Sequence, residues 1–329
     1  MDAIISTFAS YVPDRVVTND DLAATIDTSD EWIRSHTGIR ERRIAAPDQA
    51  ASDLGIAAAQ RAFETRGISP EAVDMVIVAS STTDYPNFPS TASIIQDRLG
   101  CVNAGAFDIS AGCTGFVYGL ELARSLVDAG SSRTVLLIGA ETLTKLTNWD
   151  DRNTCVLFGD GAGAAILEEG DDPTRGTRVL RSWLRSKGSG DTALIRWVGG
   201  SRTPYDPERH TPADMQIYMD GRAVYLFAVD AVVRTIQTLC EQQGIEPSDL
   251  DWIVPHQANL RIIEAAAKRL KLPTELFYTN LDRYANTSAA SIPLAITEMA
   301  EKGLLQPGQL VLTVGFGAGL SYGGNIIRW

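Results

Sequence analysis

The sequence predicts a layered α/β fold made of two duplicated halves, and two observations carry that expectation. The first is a repeat. Gly67-Ile68-Ser69-Pro70-Glu71-Ala72-Val73-Asp74-Met75-Val76-Ile77-Val78 is echoed by Gly244-Ile245-Glu246-Pro247-Ser248-Asp249-Leu250-Asp251-Trp252-Ile253-Val254-Pro255, and the two glycines lie 177 residues apart (244 minus 67). The same offset sets the apolar run Thr134 to Gly139 over Val311 to Phe316. The second is the pattern between the paired runs. Phe116 to Ala123 in one half and Ile292 to Ala300 in the other have helical character, so strand, helix, strand recurs twice. The runs are continuous and rich in Val, Ile and Leu, which suits parallel strands covered on both faces.

Further elements follow in order. Asp53 to Arg66 and Asn259 to Leu272 repeat apolar residues at three and four and read as helices. Residues 186–216 are polar and rich in Gly and Pro, and read as a long excursion over a substrate entrance. The run Phe158-Gly159-Asp160-Gly161-Ala162-Gly163-Ala164 leads into the strand-like Ala165-Ile166-Leu167-Glu168 with no Lys-Ser/Thr after it. A phosphate loop fails on that context, and the glycines read as close backbone packing beneath a pocket. The halves are expected to span 1–172 and 173–329.

Composition bounds the function. A chain of 329 residues is about two domain equivalents at ~150 residues each. At 44% hydrophobic it is too apolar for disorder, and no uninterrupted apolar run nears the ~18–20 residues of a membrane span. The start, Met1-Asp2-Ala3-Ile4-Ile5-Ser6, lacks a basic segment followed by an apolar one, so a cytoplasmic protein without a membrane partner is expected. A net charge of −12 argues against nucleic acid, whose binding needs surplus Lys and Arg. Cys101, Cys113, Cys155 and Cys240 show no C-x-x-C spacing and the only histidines are His36, His210 and His256, so neither a metal site nor a disulfide framework is suggested.

Three features could carry chemistry. Cys113 lies in Phe107-Asp108-Ile109-Ser110-Ala111-Gly112-Cys113-Thr114-Gly115-Phe116, where a short strand runs through small residues into a helix. A thiol at a helix N-terminus is favoured as the attacking thiolate. Cys101, Cys155 and Cys240 lack that setting and read as buried structural residues. His256 follows Trp252-Ile253-Val254-Pro255 at the C-terminal end of a strand, the edge where ligand and catalytic groups of parallel sheets gather. Asn286, in Asn286-Thr287-Ser288-Ala289-Ala290-Ser291, stands by the repeat opposite the Cys113 turn. A pocket shared by the halves follows. Cys with His and Asn also describes a cysteine hydrolase, with His as base and Asn as its orienter.

Six motifs together resemble the β-ketoacyl-acyl-carrier-protein synthase III family over Ile4 to Trp329. They are Asp30-Glu31-Trp32-Ile33 with Thr37-Gly38-Ile39-Arg40-Glu41-Arg42, the Cys113 segment, the Phe158 to Ala164 run, Pro255-His256-Gln257-Ala258-Asn259, Asn286 to Ser291, and Gly315-Phe316-Gly317-Ala318-Gly319. The resemblance implies a thiolase-like α-β-α-β-α fold and a two-step condensation that starts fatty acid synthesis. Cys113 would take an acyl group from a short acyl-CoA, a substrate rather than a bound cofactor. His256 and Asn286 would stabilise the enolate formed as malonyl-acyl-carrier protein loses carbon dioxide. The N–H groups of Cys113 and Ala318 would hold the tetrahedral oxyanion.

It further implies that Trp32 and Arg152 sandwich the CoA adenine, that Phe88 crosses a homodimer interface to close the partner's acyl pocket, and that Arg261, Lys268 and Arg269 receive the acidic carrier protein. The chain departs from the pattern in three places. Ala318 stands where the family commonly has the middle of three glycines, and keeps its donor only at negative φ. His36 stands where Arg often meets the CoA phosphates, with Arg34 as a neighbouring substitute. The excursion at 186–216 is longer than the family leads one to expect. These departures leave room for a specialised synthase or acyltransferase of secondary metabolism or cofactor synthesis that uses an unusual starter.

Overall fold

The computed structural model describes residues 2–86, 88–170 and 176–329 and builds two large sheets. The first contains β1 (Asp2–Tyr11), β2 (Met75–Ala79), β3 (Gly105–Ile109), β4 (Thr134–Thr142) and β5 (Asp160–Gly170), in the order β1-β5-β4-β2-β3. The second contains β6 (Arg178–Ser186), β7 (Trp252–Pro255), β8 (Leu310–Gly317) and β9 (Ser321–Arg328), in the order β7-β8-β9-β6. The division expected between residues 172 and 173 falls within 171–175, outside the described residues.

An offset of 177 carries β2 onto β7 and β4 onto β8. The counterpart of β3 is reduced to one parallel bridge, Ile253 with Phe277. Strands β2, β3 and β4 are parallel, as are β7 and β8. Strands β1, β5, β6 and β9, which lie outside the repeated runs, join antiparallel. The second sheet doubles back at Ala318–Leu320 between β8 and β9, a connection too short for a crossover helix. The two-face burial inferred from composition holds for β4, every residue of which is buried.

Seven helices of eight residues or more among the described residues position the rest: α1 (Asp30–Thr37), α2 (Ala51–Arg66), α3 (Thr91–Leu99), α4 (Gly115–Asp128), α5 (Gly221–Gln243), α6 (Leu260–Leu270) and α7 (Ser291–Glu301). Helices α4 and α7, both expected, form the layer between the sheets. Phe116, Val117, Leu120, Ala123 and Val127 bury one stripe of α4 at helical spacing, whereas α7 is buried from Ser291 to Met299.

Helix α5 was not expected. It stands to β8 and β9 as α2 stands to β4 and β5, and both end on a left-handed glycine, Gly67 at φ 72° and Gly244 at φ 73°. Those glycines open the sequence repeat, so identity begins where these helices end. By length and composition α5 could cross a membrane, with a mean hydropathy of 1.4, but it packs against β8 and β9 and buries Ala228, Val232, Ile236 and Leu239 there. The 186–216 excursion contains two single helical turns, and its Leu194–Ile195 pairs with Tyr218–Met219.

The halves interlock through glycines. A Cβ on Gly139 of β4 would lie 2.5 Å from the carbonyl oxygen of Ala289, just ahead of α7. In the second half, a Cβ on Gly315 of β8 would lie 3.1 Å from the Cα of Thr114, just ahead of α4. The Phe158 to Ala164 run serves the same purpose: a Cβ on Gly163 would meet the Pro293 ring at 2.6 Å. Gly139→Ala therefore sets a methyl group against backbone, and should lower unfolding free energy by ~1–3 kcal/mol in denaturant melts. Gly188→Ala, where an added Cβ has nothing within 4 Å, should leave the melt unchanged.

Candidate active site

Both halves reach the site by the same turn. After β3 the chain passes Gly112 at φ 54° into the single turn Gly112–Thr114 and then α4. In the second half it passes Ser288 at φ 47° into the turn Ser288–Ala290 and then α7. Cys113, half-buried, sits in the first turn and Asn286 just before the second.

A cavity of about 280 Å³ is lined by Cys113, His256 and Asn286, and by Trp32, His36 and Asn259. The expected triad therefore faces one space. A second chamber of about 110 Å³ lies on the other side of Cys113, walled by Leu143, Leu146, Phe158, Leu194, Ile195 and Ile217. The largest cavity, about 920 Å³, contains none of the three and opens along α4 beside Ala111 and Ala318.

The thiol departs from the sequence reading. Burial pushes Cys113 up to about 12, opposed by the Ser288 hydroxyl and reinforced by the Glu141 carboxylate. A helix N-terminus contributes ~0.3–2 kcal/mol, too little to bring such a thiol into the neutral range. Burial thus favours the protonated thiol over its anion. Cys101, Cys155 and Cys240 are buried thiols pushed to about 11, in keeping with a structural role.

His256 is buried, and burial alone draws its imidazole down to about 3. Its Nδ1 lies 2.7 Å from Ser291 Oγ, and Phe316 packs edge-on against the ring at 5.1 Å. The Gln257 N–H points at Ser291 Oγ, so the hydroxyl hydrogen is free to go to Nδ1. That leaves the imidazole proton on Nε2, a neutral donor. Asn286 Oδ1 accepts from Ser288 N at 2.9 Å, which assigns the NH₂ as the group free to donate into the cavity.

The turns that hold the two backbone donors abut. A Cβ on Gly317 would lie 2.7 Å from Cys113 N, and one on Gly112 would lie 3.0 Å from Ala318 N. Ala318 is absent from the residues at positive φ, so the condition for its N–H to survive the loss of glycine is met.

At the cavity's other end the Arg152 guanidinium lies 4.7 Å over Trp32, in direct contact with the indole. The pair expected to sandwich a base is together but closed. His36 stacks on Trp32 at 4.4 Å and gives its Nδ1–H to the Trp32 carbonyl at 2.7 Å. Arg34 is exposed and paired with Asp30 at 3.2 Å. Arg261 and Lys268 are exposed on α6, whereas Arg269 is held by Asp230 at 3.1 Å. Phe88 is 82% exposed and lines neither cavity.

Glu141, Ser288 and Ser291 were not singled out from the sequence as site residues. For Glu141 a signal existed, since it is the one charge in the otherwise uncharged run Thr134 to Thr142.

The His256 shift has a stability consequence. The unfolded chain protonates this imidazole near pH ~6.5 and the folded chain does not until about pH 3, so stability is lost as pH falls through that window. Glu141, raised to about 7, works in the opposite sense between the ordinary carboxylate range and 7. Denaturant melts at pH 7 and pH 5 should therefore show His256→Asn losing less stability on acidification than the parent chain.

A buried thiol at a strand-to-helix turn, facing a neutral imidazole and a carboxamide across a two-fold repeat, defines an acyl-transferring condensing enzyme of the thiolase-like fold. Family models described as 3-oxoacyl-[acyl-carrier-protein] synthase III and its C-terminal region match residues 107–188 and 240–329. The chain is 51% identical to β-ketoacyl-[acyl-carrier-protein] synthase III of Caldanaerobacter subterraneus, over 97% of this chain and 96% of that one. The crystal structure of the Thermus thermophilus synthase III is 44% identical with a TM-score of 0.90, covering 99% of this chain and 98% of that one. The priming β-ketosynthase of the R1128 polyketide pathway is similar at 36% identity and a TM-score of 0.90, covering 99% and 96%. The chain belongs to the 3-oxoacyl-[acyl-carrier-protein] synthase III family.

Proposed function

We propose that the protein condenses a short acyl-CoA with malonyl-acyl-carrier protein to give 3-oxoacyl-carrier protein and carbon dioxide, the first condensation of fatty acid synthesis. The observation that carries this reading is the pair of neutral donors, His256 Nε2–H and the Asn286 NH₂, lining one cavity with Cys113.

In the first half-reaction Cys113 sulfur attacks the thioester carbonyl and CoA leaves with the thiol proton, giving acyl-Cys113. Its tetrahedral oxyanion is placed at the N–H groups of Cys113 and Ala318. In the second, the malonyl C–COO⁻ bond breaks, carbon dioxide departs, and the electron pair passes into an enolate whose oxygen takes hydrogen bonds from His256 and Asn286. Fixed donors in a dry site are worth ~10²–10³ in rate each. The enolate carbon attacks acyl-Cys113 and expels the thiolate, which takes up one proton from solvent to restore the thiol.

The chamber of about 110 Å³ is smaller than the ~150 Å³ cavity that takes benzene, which suits a short acyl chain. CoA is assigned to Trp32, Arg152 and His36, with Arg152 swinging off the indole as the base enters. The hydrolase reading loses on the orienter, because Asn286 Oδ1 is taken by Ser288 N and His256 Nδ1 by Ser291 Oγ, so Asn286 does not orient the imidazole. The starter is the point on which a polyketide-type role would differ.

We assign a homodimer on the edge strand β3, whose outer side has no strand partner among the described residues, together with the exposed Phe88 and the open cavity along α4. Four free cysteines suit a reducing cytoplasm.

Intact mass after mixing with two- to eight-carbon acyl-CoAs should show an adduct on Cys113 that fades as the chain lengthens. His256→Ala should keep that adduct and lose malonyl decarboxylation by ~10²–10³. Parallel loss of both would make His256 the base for the thiol. Arg261→Glu should raise KM for the carrier protein, most at low salt, with acylation by acyl-CoA unchanged.

A further inference from the structure

Two backbone N–H groups at the joint between the halves are left without an acceptor. Among the described residues, neither the Cys113 N–H nor the Ala318 N–H donates to any oxygen. They belong to turns from opposite halves, Gly112–Thr114 ahead of α4 and Ala318–Leu320 between β8 and β9. Packing presses these turns together; hydrogen bonds, which are directional, set how one is turned against the other.

Ser321, the first residue of β9, supplies those bonds. Its hydroxyl crosses from the second half to the first and lies 2.7 Å from the carbonyl oxygen of Ala111, the residue that leads into the Cys113 turn. The same Oγ lies 3.0 Å from the carbonyl oxygen of Ala318 and 3.2 Å from Thr114 Oγ1. One hydroxyl proton thus serves the carbonyl ahead of one turn and a carbonyl within the other as a three-centre donor. Thr114, fully buried, answers from the opposite side, its Oγ1 donating to the Ser321 carbonyl oxygen at 3.1 Å. Thr114 N closes its own turn on the same Ala111 oxygen at 3.2 Å, so both lone pairs of that carbonyl are used. Ser321 works from behind the donors. It lines the cavity of about 920 Å³ beside Ala111 and Ala318, and is absent from the cavity that Cys113 shares with His256 and Asn286.

We propose that Ser321 is a positioning residue for acyl transfer: its hydroxyl, with Thr114 answering, sets the two turns so that the Cys113 and Ala318 N–H groups converge on one oxygen. The consequence is selective. Acylation of Cys113 passes through a tetrahedral intermediate whose oxyanion draws on both N–H groups. Enolate formation draws on His256 and Asn286, which are held separately by Ser291 Oγ and Ser288 N. The inference rests on the reading of Cys113 as an acyl acceptor, and not on CoA being the donor.

The test compares two reactions of the same sulfur in the full chain, both read on Cys113 by peptide mass. With p-nitrophenyl acetate the sulfur attacks the ester carbonyl, the C=O pair moves onto oxygen, and collapse expels p-nitrophenolate while the thiol proton goes to solvent. With iodoacetamide the sulfur displaces iodide and gives its proton to solvent, and no oxyanion forms. Ser321→Ala should slow acetylation ~10²-fold, the scale of a misplacement of about one ångström, and should alkylate at the parent rate. Ser321→Thr keeps the hydroxyl, and backbone at φ −100° and ψ 148° suits a β-branched residue, so it should restore acetylation. Acetylation of Ser321→Ala at the parent rate overturns the proposal. So does an equal loss in both reactions, which would mean that the sulfur itself had moved or been covered, and so does a Ser321→Thr chain as slow as Ser321→Ala. Should the parent chain take acetyl from the ester but no acyl group from any acyl-CoA, the acyl-CoA reading falls while the Ser321→Ala comparison still decides this one.

Discussion

The site exists because backbone is packed on backbone where the two halves meet. Gly139 admits the Ala289 carbonyl, Gly315 admits Thr114, and Gly317 admits the backbone of Cys113 itself. Each contact is too close for a Cβ, so the turn before α4 is lodged in the second half's sheet and the turn before α7 in the first's. Neither half can place its chemical group without the other. This seating fixes Cys113, Asn286 and the two backbone donors to within what packed main chain allows, tighter than a loop would hold them. It also lowers the local dielectric, since the packed joint buries His256 and part of Cys113.

That low dielectric explains why the same burial has opposite chemical results on three groups. It penalises charge, so the thiol keeps its proton, the imidazole refuses one, and the carboxyl of Glu141 is held near neutrality. A neutral imidazole is what an enolate oxygen needs, since it donates without having to surrender a proton first. A protonated thiol is what a nucleophile does not want, and the cost of ionising it has to be met by hydrogen-bonding groups within reach.

Much of this architecture was legible in the chain. The 177-residue repeat located β2 against β7 and β4 against β8, and small residues around Cys113, a strand end at His256 and the turn at Asn286 pointed to one edge. What escaped had local causes. Helix α5 lies upstream of the repeated glycines, where the halves share burial pattern but not identity. The antiparallel strands depend on pairings, some between segments distant in the chain, whose direction a composition cannot reveal. The thiol's protonation depends on how tightly another segment, distant in sequence, closes over it, and a helix N-terminus read by itself overstates the anion. The partners of His256 and Asn286, Ser291 Oγ and Ser288 N, are set by three-dimensional placement.

The reduced fifth strand of the second half bears on how copies of this chain could associate. At one margin of the first sheet β1 is tied to the second half through Ile5 and Thr177, and at the margin of the second sheet Phe277 and Tyr278 occupy the side of β7. Of the two large sheets, β3 is an edge with no strand on its outer side among the described residues. Were two copies to meet along that rim, each would consume the other's open edge. Such a pairing would be closed, and growth would stop at a pair instead of running on into a fibre.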